Sequence, residues 1–435
     1  MSDPNNLWRS TAQNADPEPP LDQKLSCDVA IIGGGFTGLS AALHLAQAGA
    51  NTCLLEAETI GHGGSGRNVG LVNAGLWKSP EQVIETLGKP VGERLTNQLA
   101  KAPSLVFNLI EHHQITCEAT RHGTLHCAHS AAGWRDLQDR YRQQVAREAP
   151  VKLLSAAQVA ERTGSMQFYG ALWDGRAGTI QPLSFAIGLA RAARAAGAML
   201  FEHSPAQAVR FTDNLWHIQT TTGQIAAQHL IQATNAYGSH GLSQNSYVPV
   251  HYFQVATDPI PAALRYDILP GGEGCWDTAR VMSSFRLDQS GRMVIGAIGN
   301  LDAAGSQIHR NWARRKLYAL YPQLAGLGFR HSWCGRIAIT DTYLPRVANI
   351  GLRAISIYGY SGRGIGPGVL FGKCAADWVV NDNENAFPVA ITSDRPTLRH
   401  RAKAFLIETG ACLSHLTDSW FPHGNIPRQR TKQKL

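Results

Sequence analysis

The chain has 435 residues, 44% of them hydrophobic and 17% charged, with a formal net charge of +8. That length suits two closely joined domains and that composition supplies a large buried core, which excludes a disordered chain. No apolar run approaches the roughly 18–20 residues a membrane span needs, and the polar opening around Asp3 and Asn5 is no secretory signal, so a soluble, cytoplasmic protein is expected.

Residues 1–24 are polar and Pro-rich and read as an extended arm. Cys27–Ile32 is a short apolar strand, followed by three glycines. Phe36–Gly49 then carries Leu39, Ala42, Leu43 and Ala46 at helical spacing, with Gly49 as a stop signal. Asn51–Leu55 is a second strand, ending at Glu56. Residues 61–76 form a second Gly-rich loop, and residues 80–165 read as largely helical. A helix is expected over Gln181–Gly197. Strands follow at Ala198–Phe201, Ala208–Phe211, Leu215–Thr220 and Gln228–Thr234. Residues 247–300 alternate in a way that predicts an antiparallel sheet, and Asn311–Tyr321 reads as a helix. A last unit runs from the strand at Ile355 through a glycine loop into a helix ending near Val380.

The eight cysteines, Cys27, Cys53, Cys117, Cys127, Cys275, Cys334, Cys374 and Cys412, show no paired spacing. Reduced thiols are therefore expected rather than disulfides or a metal centre. His112–His113 and His126/His129 lack a matching carboxylate cluster, so no metal site is expected. Part of the positive charge sits in a tail at Arg428, Arg430, Lys432 and Lys434. No basic–aromatic module accompanies it, which argues against a nucleic-acid partner.

Gly33, Gly35 and Gly38 fit the G-x-G-x-x-G pattern in its required setting, after a strand and opening a helix, with Glu56 at the end of the next strand. Gly33 allows the tight turn, Gly35 the approach of backbone to a pyrophosphate, and Gly38 close packing of helix on strand. Phe36 and Thr37 lie at the helix N-terminus, where unpaired N–H groups favour negative charge. A carboxylate at Glu56 can accept both hydroxyls of an adenosine ribose. The position of this unit at the start of the chain, the Gly61–Gly75 loop after it, and the closing strand–glycine–helix unit favour FAD over NAD.

These features resemble the D-amino-acid oxidase-like superfamily of FAD enzymes, nearest to its γ-glutamylputrescine oxidase-like branch. The stretches that carry the likeness are Trp8–Leu21, Asp28–Ser40, Gly64–Asn68, Trp333–Pro345, Gly359–Gly364 and Pro396–Asp418. The resemblance implies a non-covalent FAD. It places Ser65, Gly66, Arg67, Asn68 and Val69 along the flavin ring and ribityl chain, Val209 near the adenine, and Ala233 and Thr234 at the returning strand end. It sets Gly362, Arg363, Gly364, Ile365 and Gly366 by the pyrimidine edge, where backbone donors would stabilise a reduced flavin.

The implied chemistry is oxidation of an amine or amino acid by hydride transfer to flavin N5, the imine then hydrolysing to an aldehyde or keto acid. No nucleophile or triad is needed for this, and none is found. Tyr252 and Phe253 lie where relatives present aromatics to the flavin, or are plain core residues. Arg286 is a carboxylate clamp or a surface strand charge. Arg336 and Arg363 are further candidates; relatives often carry histidine where Arg363 stands, which hints at an anionic substrate. His62 is a cofactor contact or proton shuttle, with a structural role the commoner outcome. Cys334 falls near a region where some superfamily members bind flavin covalently. No lysine lies in Gly291–Gly296, which leaves oxidase and dehydrogenase both open, with oxygen or a quinone as acceptor.

The expected fold is α/β, with a Rossmann-like FAD-binding domain of the glutathione-reductase type and an antiparallel-sheet substrate domain. Residues 25–80, 165–245 and 335–382 are assigned to the first and 81–164 and 246–334 to the second, with 383–435 a C-terminal helix and basic tail. Two rival functions remain. One is a 2-hydroxy-acid dehydrogenase feeding a quinone, whose tail and terminal helix could touch a membrane surface. The other is an FAD-bound module of a larger modifying complex.

Overall fold

The structure, a computed structural model, describes residues 5–12, 17–238, 246–393 and 400–418; the basic tail beyond lies outside them. A nine-stranded sheet and an eight-stranded sheet organise the chain. In the first, Lys24–Ile32 is central, parallel to Gln224–Gln232 on one side and to Thr52–Leu55 on the other. Met199–Phe201 extends it beyond Thr52–Leu55, and Ala354–Tyr358 runs parallel to Gln224–Gln232. Strands with helices on their faces need apolar residues on both sides, and Val29, Ala30 and Ile31 are all fully buried.

The helix Phe36–Gln47 lies on this sheet and against the helix Ile365–Val380. Small residues set the approach: a Cβ added to Gly372 would stand 2.3 Å from the Thr37 carbonyl oxygen. The helix Lys89–His112 buries Leu95, Leu99, Val106 and Phe107 in the same core. Residues 81–112 therefore belong with the nucleotide-side core, not with the second domain to which the sequence reading assigned them. Their apolar stripe meets Ile365 and Val369, partners invisible at the level of local periodicity.

The second sheet takes its strands in the order Phe329–Ile339, Val248–Thr257, Met293–Ile298, Ser283–Leu287, Gly274–Asp277, Thr124–Cys127, Gly170–Asp174 and Val151–Ser155. It is antiparallel save for the pairing of Gly274–Asp277 with Thr124–Cys127. Two corrections follow. Thr124–Cys127 and Val151–Ser155 are strands inside the stretch read as helical; at four and five residues they are too short to show a period. Gly170–Asp174 and residues 335–339 also pair in this sheet, so the boundaries at 165 and 335 each cut into it.

The arm is also corrected. Leu7–Thr11 is a helical turn, and Leu7 and Trp8 are fully buried. Trp8 donates Nε1–H to the Asn68 carbonyl at 2.8 Å and meets Trp333 edge-on at 5.8 Å. Asn6 donates to the Gly66 carbonyl at 3.2 Å. The arm is thus a prop beneath the second glycine loop. Trp8→Ala is expected to destabilise the protein by about 3–5 kcal/mol, read as a lowered urea midpoint with a parallel loss of bound flavin.

Candidate active site

A cavity of about 1360 Å³ runs between the two sheets. Its first end is built on the dinucleotide fingerprint. Gly33 has φ +114° and an added Cβ there would lie 2.8 Å from the Ala233 carbonyl oxygen, so only glycine serves. Gly35, Phe36 and Thr37 open the helix onto the cavity, with Phe36 N–H held by Ser65 Oγ at 3.0 Å. Glu56 accepts the Gly34 N–H at 2.7 Å through Oε2 and the Glu58 N–H at 3.0 Å through Oε1. Burial raises its carboxyl above the ordinary range, against those two bonds.

The second loop forms the middle of the cavity through Ser65, Arg67, Asn68 and Val69. Asn68 shapes it, donating to the Gly64 and Ser65 carbonyls at 3.0 and 2.8 Å and accepting the Gly70 N–H at 2.8 Å. Ala233 and Thr234 line the opposite side. Gly362, Arg363, Gly364, Ile365 and Gly366 bring a second helix N-terminus to the cavity. Tyr360 ties the two helix starts together through a 2.7 Å bond between its hydroxyl and that of Thr37.

At the far end Tyr252 faces in. Its hydroxyl donates to the Gly296 carbonyl at 3.2 Å and meets Ser284 Oγ at 3.0 Å; burial keeps it neutral. Phe253, one residue on, points the other way into the core beside His309 and Trp312, as strand alternation requires. Arg336 stacks over the Tyr237 ring at 4.6 Å and lines the cavity. Arg363 lies over the rings of Trp276 and Trp77, at 4.4 and 5.2 Å from their centroids and on one side of the edge-on pair they form, and donates to the Ala74 carbonyl at 2.9 Å. Burial lowers its guanidinium to about 9, with a further push from Arg140. No carboxylate pairs with it among the described residues.

His62 also lines the cavity, and burial followed by the charge of Arg67 lowers it to about 4. This favours its neutral form at physiological pH. As pH falls from about 6.5 towards 4, an unfolded His62 protonates and the folded one does not, so folding stability is lost over that window. A His62→Gln protein is expected to lose less stability across the same window, measured by urea unfolding at several pH values.

Four expected site residues lie outside the cavity lining. Gly38 and Gly66 are packing positions, where an added Cβ would meet the carbonyl oxygens of Gly33 at 2.0 Å and Gly61 at 2.4 Å. Val209 pairs with Ile218 in a strand beyond the cavity, whose rim is formed by Ser204 and Ala206. Arg286 shares a strand face with Ser284 but reaches past the cavity, under Trp8 at 5.0 Å and beside Gly70. Its Nε and Nη2 are buried with no partner among the described residues. Cys334 turns away from the cavity, its thiol 3.2 Å from Asp302, a direction that cannot serve a flavin bond.

Two residues escaped the sequence reading. Gln254, two positions after Tyr252 on the cavity face, is fully buried with both amide atoms unpartnered among the described residues. Trp276 lines the cavity with a buried Nε1–H that has no partner among the described residues. Strand alternation from Tyr252 would have found Gln254; nothing local marks Trp276. Unmatched donors and acceptors at one end and a glycine cradle with two helix N-termini along the rest fit an extended dinucleotide with a substrate space beside it.

Residues 28–378 match the model of the DAO family, described as FAD dependent oxidoreductase. The probable oxidoreductase OrdL of Rhizobium meliloti is 31% identical over 351 residues, covering 80% of this chain and 81% of its own. The gamma-glutamylputrescine oxidoreductase of Escherichia coli is 28% identical over 382 residues, 87% of this chain and 89% of its own. Among solved structures, the crystal structure of glycine oxidase from Geobacillus kaustophilus superposes with a TM-score of 0.69 at 23% identity, covering 84% of this chain and 98% of that one.

Proposed function

The chain belongs to the DAO family of FAD-dependent oxidoreductases, and from that premise we propose that it oxidises an amine or amino acid whose anionic group is held by Arg363. Bound FAD supplies the acceptor for the hydride leaving the substrate carbon. The fingerprint helix and Glu56 would hold its ADP half, Ser65–Val69 its middle, and the Gly362–Gly366 turn its ring edge.

The observation that carries the reading is the guanidinium of Arg363, packed against two indoles that meet edge-on and without a carboxylate partner among the described residues. A guanidinium so fixed presents its remaining N–H groups to a carboxylate with little ordering left to do. A smaller cavity of about 310 Å³ adjoins it, shares Arg363 and Trp276, and is lined by Lys78, Lys101, Arg140, Arg147 and Arg176. Among the described residues three of those five are matched by acids, Arg140 with Asp136, Arg147 with Glu93 and Arg176 with Asp174, so the positive charge is in excess and draws anions inward. Tyr252, kept neutral and hydrogen-bonded, walls the substrate space, and the free amide of Gln254 offers one donor and one acceptor to whatever fills it.

The test is anaerobic mixing of the flavoprotein with a panel of amines, amino acids and 2-hydroxy acids, following the visible flavin band, then admitting air. Bleaching by an anionic amine supports the reading. Rapid recovery with peroxide makes oxygen the acceptor, and a bleached state that persists in air points to a quinone or another carrier. Bleaching by 2-hydroxy acids alone overturns the substrate class.

A further inference from the structure

We propose that His309, Glu408 and Cys412 form a binding site for a divalent metal of the zinc class, which fastens the C-terminal helix to the substrate sheet. His309 lies on the helix Ser306–Leu320, while Glu408 and Cys412 lie one turn apart on the helix His400–Thr417. The three ligand atoms converge. His309 Nε2 is 3.0 Å from Glu408 Oε1 and 3.6 Å from Cys412 Sγ, and that sulfur is 4.0 Å from the same carboxylate oxygen. With bonds of roughly 2.0–2.3 Å and tetrahedral angles, zinc ligands lie roughly 3.3–3.5 Å apart. The observed triangle closes on that geometry with shifts of up to about half an ångström.

Three surrounding features suit a metal. His309 is fully buried, and its Nδ1 is bonded to His415 Nδ1 at 2.8 Å. With a metal bound, His309 Nδ1–H would donate to His415 and the Nε2 lone pair, freed from its bond to Glu408, would face the ion, the arrangement that orients metal-binding imidazoles. Gly305 makes room for the sulfur, since an added Cβ would lie 2.5 Å from Cys412 Sγ. The donors are one nitrogen, one oxygen and one sulfur, a mixture that suits zinc and excludes calcium or magnesium, which take oxygen alone. On binding, Cys412 gives its proton to solvent; its thiolate and the Glu408 carboxylate then neutralise the ion, and water fills the fourth position. The same helix lends Ile407, Gly410, Ala411 and Ser414 to the large cavity, so the metal would brace a wall of the substrate space without touching the chemistry.

The experiment uses untagged full-length flavoprotein, stripped with a chelator and titrated with cobalt(II) as a spectroscopic stand-in for zinc. The expected result is one cobalt per chain, with a thiolate-to-cobalt charge-transfer band and strong visible bands of a tetrahedral ion in the difference spectrum. Cys412→Ser should lose the charge-transfer band while retaining its flavin. His415→Ala should weaken binding by roughly 10–100-fold. Absence of stoichiometric cobalt from the parent protein, or a charge-transfer band that persists in Cys412→Ser, overturns the proposal. Neither readout depends on turnover, so its failure is separate from failure of the substrate reading.

Discussion

Replacing Arg363 by methionine is expected to lower kcat/KM for an anionic amine by about 3 kcal/mol, roughly a hundredfold, and to leave an uncharged amine within about tenfold. The side chain can be exchanged at nearly constant volume, because Trp77 and Trp276 supply apolar faces that a methionine also packs against. What disappears is the fork of N–H groups beside the cavity. Arg363→Lys should recover only part of the loss, since an ammonium neither packs as a plane on an indole face nor offers paired donors. The measurement is kcat/KM on matched anionic and neutral amines, at equal flavin content. Equal losses on both would show that Arg363 supports the wall rather than the substrate.

The other large effect is expected at Gly38. An added methyl there would sit 2.0 Å from the Gly33 carbonyl oxygen and 3.3 Å from an Ile31 methyl group. Neither the turn nor the buried strand behind it can retreat. Gly38→Ala should therefore push the helix start away from the strand, destabilise the fold by about 3 kcal/mol, and yield protein with little or no FAD. Gly328→Ala is the control, because its added Cβ meets nothing within 4 Å. The ratio of visible flavin absorbance to protein absorbance decides between them. A fully yellow Gly38→Ala protein would remove the fingerprint from the cofactor account.

Much of this architecture is legible without coordinates because its signals are local. The strand at Cys27–Ile32, the glycines and the helix from Phe36 announce themselves by period and spacing, and the observed elements differ only at their ends. The missed features are those defined by partners far away in the chain. Thr124–Cys127 and Val151–Ser155 are strands because neighbours pair with them. Trp8 reads as part of a polar arm until Asn68 and Trp333 surround it. Arg286 reads equally as a carboxylate clamp or a surface strand charge; it is buried under Trp8, a partner near the start of the chain that no local pattern shows. Glu408 and Cys412 show helical spacing, but the histidine that completes their cluster lies on another helix, beyond any motif window.

The central strand Lys24–Ile32 carries a consequence for how the protein is made. Its neighbour Gln224–Gln232 is synthesised some two hundred residues later, and Ala354–Tyr358 and the glycine turn after it later still. A ribosome therefore exposes the fingerprint long before the strands and helix that complete its cradle exist. Pairings of such sequence separation close slowly, because the loop entropy is lost before the contacts form. Cofactor capture is then expected to await the glycine turn after Ala354–Tyr358, and until Gln224–Gln232 is made one edge of the central strand lacks its partner. Expression yield should accordingly respond to flavin supply and to holdase chaperones more than to codon choice near the start of the message.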